Sequence, residues 1–162
     1  MKNRLLKIFL ICIVSELAHA QLIVPDVEPV RPVLNTAMVI QVGGQKLEVL
    51  PNSRAVQIGS AMYSITNSDS SENITKDRLG VAYSYAINSN ILLNGEITIK
   101  LKNGNTASSL AGLGTGLKLL VSPNVFVMTV NTPSDLVRWV NLLQAHPAVE
   151  WVEPFSVKAR IN

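Results

Sequence analysis

The chain has 162 residues, 48% of them hydrophobic and only 15% charged, with a formal net charge of +3. Three of the 14 basic residues and one of the 11 acidic residues lie in the first 20 positions, so the rest carries 11 against 10 and is close to neutral. That balance offers no basic stripe for nucleic acid or an anionic membrane; Cys12 and His19 lie in the same 20 positions, and His146, the one Cys or His beyond them, is too few for a zinc site and has no pattern of a serine and an acid beside it, as a triad needs. We therefore expect no catalytic residue, no metal and no cofactor.

Lys2, Arg4 and Lys7 precede an apolar run over residues 8–14, and Ala18-His19-Ala20 fits the small-x-small rule of a signal-peptidase site. Residues 1–20 read as a secretory signal. The run is too short to span a bilayer as a mature helix, so the remainder is expected to be periplasmic or secreted, free of the membrane, and without Cys12.

Residues 21–80 read as a β-rich N-terminal extension and linker. Pro25, Pro29 and Pro32 keep the lead-in extended. MVIQVGGQKLEVL gives two alternating runs around Gly43-Gly44, a hairpin signal, and residues 54–63 add a strand. The polar stretch TNSDSSENITKD, residues 66–77, reads as a loop.

Residues 81–154 read as a second unit. Residues 81–93 are strand-like and Asn94-Gly95 is a hairpin-type turn. EITIKLK then alternates strictly, placing Ile97, Ile99 and Leu101 on one face. TASSLAGL predicts a short helix capped by Thr106 and limited by Gly112, Gly114 and Gly116; residues 117–121 and 125–130 predict two strands about the turn Ser122-Pro123-Asn124. The clearest helix begins at Pro133, with Thr132 as N-cap, Asp135 in the first turn and Leu136, Val140 and Leu143 at helical spacing. Pro147 ends it, and a last strand covers residues 148–153.

The order strand, helix, strand, strand, helix, strand is that of a ferredoxin-like βαββαβ fold in the α+β class, two helices on one face of a four-stranded antiparallel sheet. Its other face has no helix in the sequence to cover it. Residues 125–130 are apolar on both sides, so one set points away from the helices, and Phe126, Met128 and Trp151 are the candidates for contact with a partner. The N-terminal hairpin is the other candidate cover. His146, beside Pro147, reads as a solvent-facing turn residue.

NGEITIKLK, TASSLAGL, LKLLVSPNVFVMTV and SDLVRWVNLLQAHPAVEWVEP, followed by a short extended tail, together resemble the propeptides of subtilisin-like serine proteases over residues 94–162. The resemblance implies a propeptide-type sandwich whose open sheet face packs on two protease helices, templates the folding of the protease and leaves its tail in the active-site cleft. With no protease domain after Asn162, it also implies action in trans. The expected partner is then a secreted subtilisin/kexin-like protease without a propeptide of its own, bound 1:1. The alternatives are a free-standing inhibitor of finished proteases and an unrelated extracytoplasmic protein-binding module.

Carried over residue by residue, the resemblance gives Glu153 the role of capping free amides at the protease's helix N-termini, worth about 0.3–2 kcal/mol. Pro154-Phe155 stands where the family has a second acid, and Glu150 is the other carboxylate at hand. Phe155, Ser156, Val157, Lys158, Ala159, Arg160, Ile161 and Asn162 are expected along the cleft as an extended, product-like tail. Lys158-x-Arg160 also suits a protease that prefers basic residues, and cleavage after Arg160 would then trim the tail.

Overall fold

The computed structural model describes residues 38–113, 118–119, 124–157 and 160–161. The leader, the proline-marked lead-in, Lys158, Ala159 and Asn162 lie outside these. Among the described residues, nine strands belong to one sheet that is antiparallel apart from its last pairing.

Strand β1 (Met38–Val42) folds back on the start of β2 (Gln45–Gly59) through Gly43 and Gly44, both at positive φ as a tight hairpin requires. β2 is 15 residues long and changes partners along its length. Its first part pairs with β1; after a register shift between Leu50 and Arg54 its second part forms a hairpin with β3 (Met62–Asn67). The opposite edge of β2 pairs with β4 (Arg78–Ser84) throughout, and residue 80, where the N-terminal unit was expected to end, lies inside β4.

β5 (Ser89–Leu101) is the spine of the molecule. Its first half pairs with β4 and its second half with β7 (Val125–Thr129), end to end along one edge. The other edge takes β8 (Val149–Val157). β6 (Lys118–Leu119) flanks β7, and β9 (Arg160–Ile161) joins β3 in parallel.

This corrects three expectations. The fold is a mostly antiparallel sheet with one α-helix, not a ferredoxin-like βαββαβ sandwich. Residues 107–113 form a 3-10 segment rather than a first helix, because a serine pair and closely spaced glycines give too little propensity to propagate an α-helix. The N-terminal strands extend the same sheet instead of preceding a separate one.

Asn94-Gly95 is also not a turn. Gly95, at φ +83°, is a bulge inside β5 where the β5–β8 register shifts; a β-carbon there would lie 2.5 Å from the Val130 carbonyl oxygen. The reversal falls earlier, at residues 85–88, where Asn88 takes φ +51°.

The α-helix α1 (Pro133–Gln144) forms as its sequence predicts. Thr132 is extended, its Oγ1 accepts the Asp135 amide at 3.1 Å and its hydroxyl donates to Asp135 Oδ2. Leu136, Val140 and Leu143 are fully buried against Ile97, Ile99 and Leu101 of β5 and Val149 and Val152 of β8. Each such side chain contributes about 1.5–3 kcal/mol. The helix also ties β1 in, since the Gln144 side-chain amide donates to the Gln41 carbonyl. Beyond it His146 sits in the turn before β8, its Nδ1 accepting the Ala148 amide at 3.2 Å.

A second, smaller cluster occupies the opposite face: Leu50, Ala55, Tyr63, Leu79, Val81, Leu92 and Ile161. Beside it Arg54, with 0% of its surface exposed, fastens the loop after β3 to the β2 bulge. Its guanidinium donates to the carbonyls of Pro51 (2.8 Å), Ser53 (2.9 Å) and Glu72 (2.5 Å), with longer contacts to Asp69 and Ser70. Burial, and then the neighbouring Arg78 cation, lower its pKa, but carbonyl dipoles take the place of water around the charge.

Candidate functional site: an outward sheet face and a cleft along β8

β8 sorts its side chains between two environments. Val149 and Val152 are buried under α1 and Pro154 is buried beside the β1–β2 turn, while Glu150, Trp151 and Phe155 are exposed and Glu153 is half-buried. A register shift leaves Glu150 as the extra residue between Val149 and Trp151. The cross-strand pairs define the outward rows: Trp151 opposite Lys100, which stands opposite Val125, and Glu153 opposite Thr98, which stands opposite Val127.

The outward face of β7, β5 and β8 therefore carries Val125, Val127, Trp151 and Phe155 around a polar centre of Thr98 and Lys100. Trp151 is 40% and Phe155 51% exposed. The α-helix lies on the opposite face. An aromatic pair this exposed on a sheet is the kind of surface that partners bury.

Of the three residues expected on this face, Trp151 is there and Phe126 and Met128 are not. Both are buried with Val130 in the core under α1, and the β7 side chains that turn outward are the half-buried Val125 and Val127. The alternation was legible, but both sets being apolar, their direction was not. Glu153 and Glu150 do not converge: Glu150 occupies the bulge, whereas Glu153 reaches toward the β1–β2 turn, its Oε1 lying 3.8 Å from the β-carbon position of Gly43.

That approach marks a cleft of about 380 Å³ between the β1–β2 turn and the outer edge of β8. Leu47, Ile91 and Leu93 form its floor, Val42 and Gly43 one wall, and Glu153, Pro154 and Ser156 the other. Among the described residues β8 pairs only with β5. This cleft is not legible in the sequence, because it depends on β1 and β8 both packing against α1.

The tail expected in a protease cleft divides between strands. Phe155, Ser156 and Val157 complete β8; Arg160 and Ile161 form β9 in register with Met62 and Tyr63 of β3; Lys158, Ala159 and Asn162 lie outside the described residues. Ile161 is buried in the second cluster, against this chain's own sheet. A tail that enters another protein's cleft has first to leave that seat.

A polar group that sequence reading missed, Glu48, lies on the outward face of β2. Glu48 is buried and accepts the Tyr85 hydroxyl, which raises the Tyr85 pKa, and Lys46 Nζ lies 4.8 Å from the Tyr85 ring centre. The alternation through residues 45–50 could have placed Glu48 opposite Leu47 and Val49, but not assigned it a partner. Among the described residues no group of three or more His, Cys, Asp or Glu could hold a metal ion, and no helix is long and apolar enough to cross a membrane.

Comparison with family models, with curated proteins and with solved structures returns no match to this chain.

Proposed function

We propose that this chain is an extracytoplasmic protein-binding protein whose partner is a secreted subtilisin-like serine protease, bound 1:1 in trans, whose folding it assists and whose activity it inhibits. The observation that carries this reading is the outward face of β7, β5 and β8, on which no helix among the described residues lies, with its exposed Trp151 and Phe155. A sheet surface with Thr98 and Lys100 at its centre, Val125, Val127, Trp151 and Phe155 around them and Glu150 and Glu153 along β8 suits the docking of amphipathic helices, with the carboxylates near helix N-termini.

Folding assistance follows from mass action. A surface that binds only the native-like protease stabilises it in proportion to its free concentration, and it lowers the folding barrier where the bound surface is already formed in the transition state. Secreted proteases, which resist self-digestion through high unfolding barriers, are the class with most need of it.

Inhibition by residues 155–162 is the costlier part of the proposal. Release of Ile161 from Tyr63 and Leu79 gives up about 1.5–3 kcal/mol of burial, which contacts in the protease cleft must exceed. A denatured subtilisin-like protease refolded with the chain should recover activity faster, and with Trp151→Ala and Phe155→Ala combined the gain should vanish. Equal recovery with and without the wild-type chain, across the producing organism's own secreted proteases of this class, would remove the reading.

A further inference from the structure

We propose that Asn103 is a site of spontaneous covalent modification, at which the side-chain amide is lost to the Gly104 nitrogen, and that the fold spares the same dipeptide at Asn94-Gly95. One Asn-Gly lies within β5 and the other just past its end. An asparagine is open to this reaction when the next amide nitrogen can reach its side-chain carbon. A following glycine, having no β-carbon, hinders that approach least.

The step needs only water besides the chain. The Gly104 nitrogen bonds to the Asn103 side-chain carbonyl carbon, and the bond from that carbon to the side-chain nitrogen breaks. The proton of the attacking nitrogen passes through solvent to the leaving one, which departs as ammonia. Water then opens the five-membered imide at either carbonyl. One opening gives aspartate; the other gives isoaspartate, whose main chain runs through the former side chain. Nothing is oxidised or reduced.

The two sites share a sequence and differ in setting. Asn103 and Gly104 are exposed, at the centre of a turn closed by the Asn105 amide donating to the Lys102 carbonyl at 3.1 Å. Gly104, at φ +84°, holds the third position of that turn, as type II requires, and a β-carbon there would meet nothing within 4 Å. Among the described residues neither the Asn103 side chain nor the Gly104 amide has a hydrogen-bond partner. The peptide between them is therefore free to rotate into the attacking geometry.

Asn94 is held at both ends. Its Oδ1 accepts the Glu96 amide at 2.9 Å and its Nδ2 donates to Glu96 Oε2 at 3.0 Å. Gly95 is buried, and its carbonyl accepts the Val130 amide at 2.8 Å, a bond that rotation of the 94–95 peptide would break. Asn94 thus reacts only after β5 opens locally. Asn105, in the same loop as Asn103, is also tied: its Nδ2 donates to the Lys102 carbonyl and its Oδ1 accepts the Ser109 hydroxyl, both at 3.3 Å, and the β-branched Thr106 follows it.

The modified turn adjoins the join between β5 and β8. The Lys102 amide donates to the Ala148 carbonyl at 2.9 Å and its Nζ to the Pro147 carbonyl at 2.8 Å. Either product sets a carboxylate next to Lys102 in the chain, and isoaspartate also lengthens the backbone of the turn.

The test incubates the full chain at mildly alkaline pH in water enriched in heavy oxygen, folded and in urea, and follows its peptides by mass with fragmentation that separates aspartate from isoaspartate. In the folded chain residue 103 is expected to convert to a labelled mixture of the two, faster at higher pH, with Asn94 slower by on the order of 100-fold. In urea the two Asn-Gly sites should convert at comparable rates, since only the fold separates them. Asn103→Gln should leave the folded loop unmodified. A folded chain in which residue 103 stays asparagine, a folded chain in which Asn94 converts as fast, or an unfolded chain in which Asn94 lags as it does in the folded one would each overturn the proposal.

Discussion

The two faces of β5, β7 and β8 are built from similar side chains and meet different fates. Ile97, Ile99, Phe126, Met128 and Val152 are sealed under α1, while Val125, Val127, Trp151 and Phe155, on the same three strands, stay partly in water. What separates them is the helix, whose Leu136, Val140 and Leu143 select one face as core. Apolarity on both sides of a strand therefore does not say which of its two surfaces the chain buries by itself.

The largest expected effect sharpens that contrast. Leu136→Ala should cost about 3–4 kcal/mol in denaturant unfolding, since Leu136 is fully buried and leaves a cavity. Trp151→Ala, with more atoms removed from the outward face, should cost less than about 1 kcal/mol in the same measurement. Comparable losses would mean that the outward face is part of the fold's own core.

Arg54→Ala comes next, at about 3 kcal/mol, because it leaves the carbonyls of Pro51, Ser53 and Glu72 without their donor. Hydrogen exchange should show the loop over residues 68–76 opening first. Ile161→Ala, at about 1–2 kcal/mol, should destabilise the second cluster and leave the α1 side unchanged. A mutant as stable as the wild type would mean that β9 is not seated on β3 in solution.

The smallest effect is a pH dependence. The hydrogen bond to Glu48, and then desolvation, raise the Tyr85 pKa in the folded state, so its stabilisation is fully present below the ordinary tyrosine range, about 10, and is lost as pH rises through the folded value. Tyr85→Phe should flatten stability against pH above about 10. An unchanged alkaline limb would remove Tyr85 from the account.

The sequence made some elements legible because the local and tertiary forces agree there. Thr132, Pro133 and Asp135 cap a helix whose apolar spacing matches what it buries, and EITIKLK alternates as half-buried strands do. It misled where a local signal has two structural uses. Asn94-Gly95 is a turn dipeptide in most settings, but Gly95 here serves a bulge pressed against Val130, and the turn passed to Asn88, whose positive φ has no equally plain signature. Arg54 and the cleft were hidden for another reason: each gathers residues far apart in the chain, and no periodicity reports that.

The central claim is that the outward face is a docking surface for a subtilisin-like protease, and affinity measured on folded variants tests it most directly. We would titrate the wild-type chain, the Trp151→Ala, Phe155→Ala double variant and the inward-facing Met128→Leu variant against the producing organism's secreted subtilisin-like protease. The account predicts a 1:1 complex, weakened about 30-fold or more by the outward pair, as for an interface hot spot, and unchanged by Met128→Leu. A double variant that stays folded and binds as tightly as the wild type, or a protease that binds neither, would contradict it.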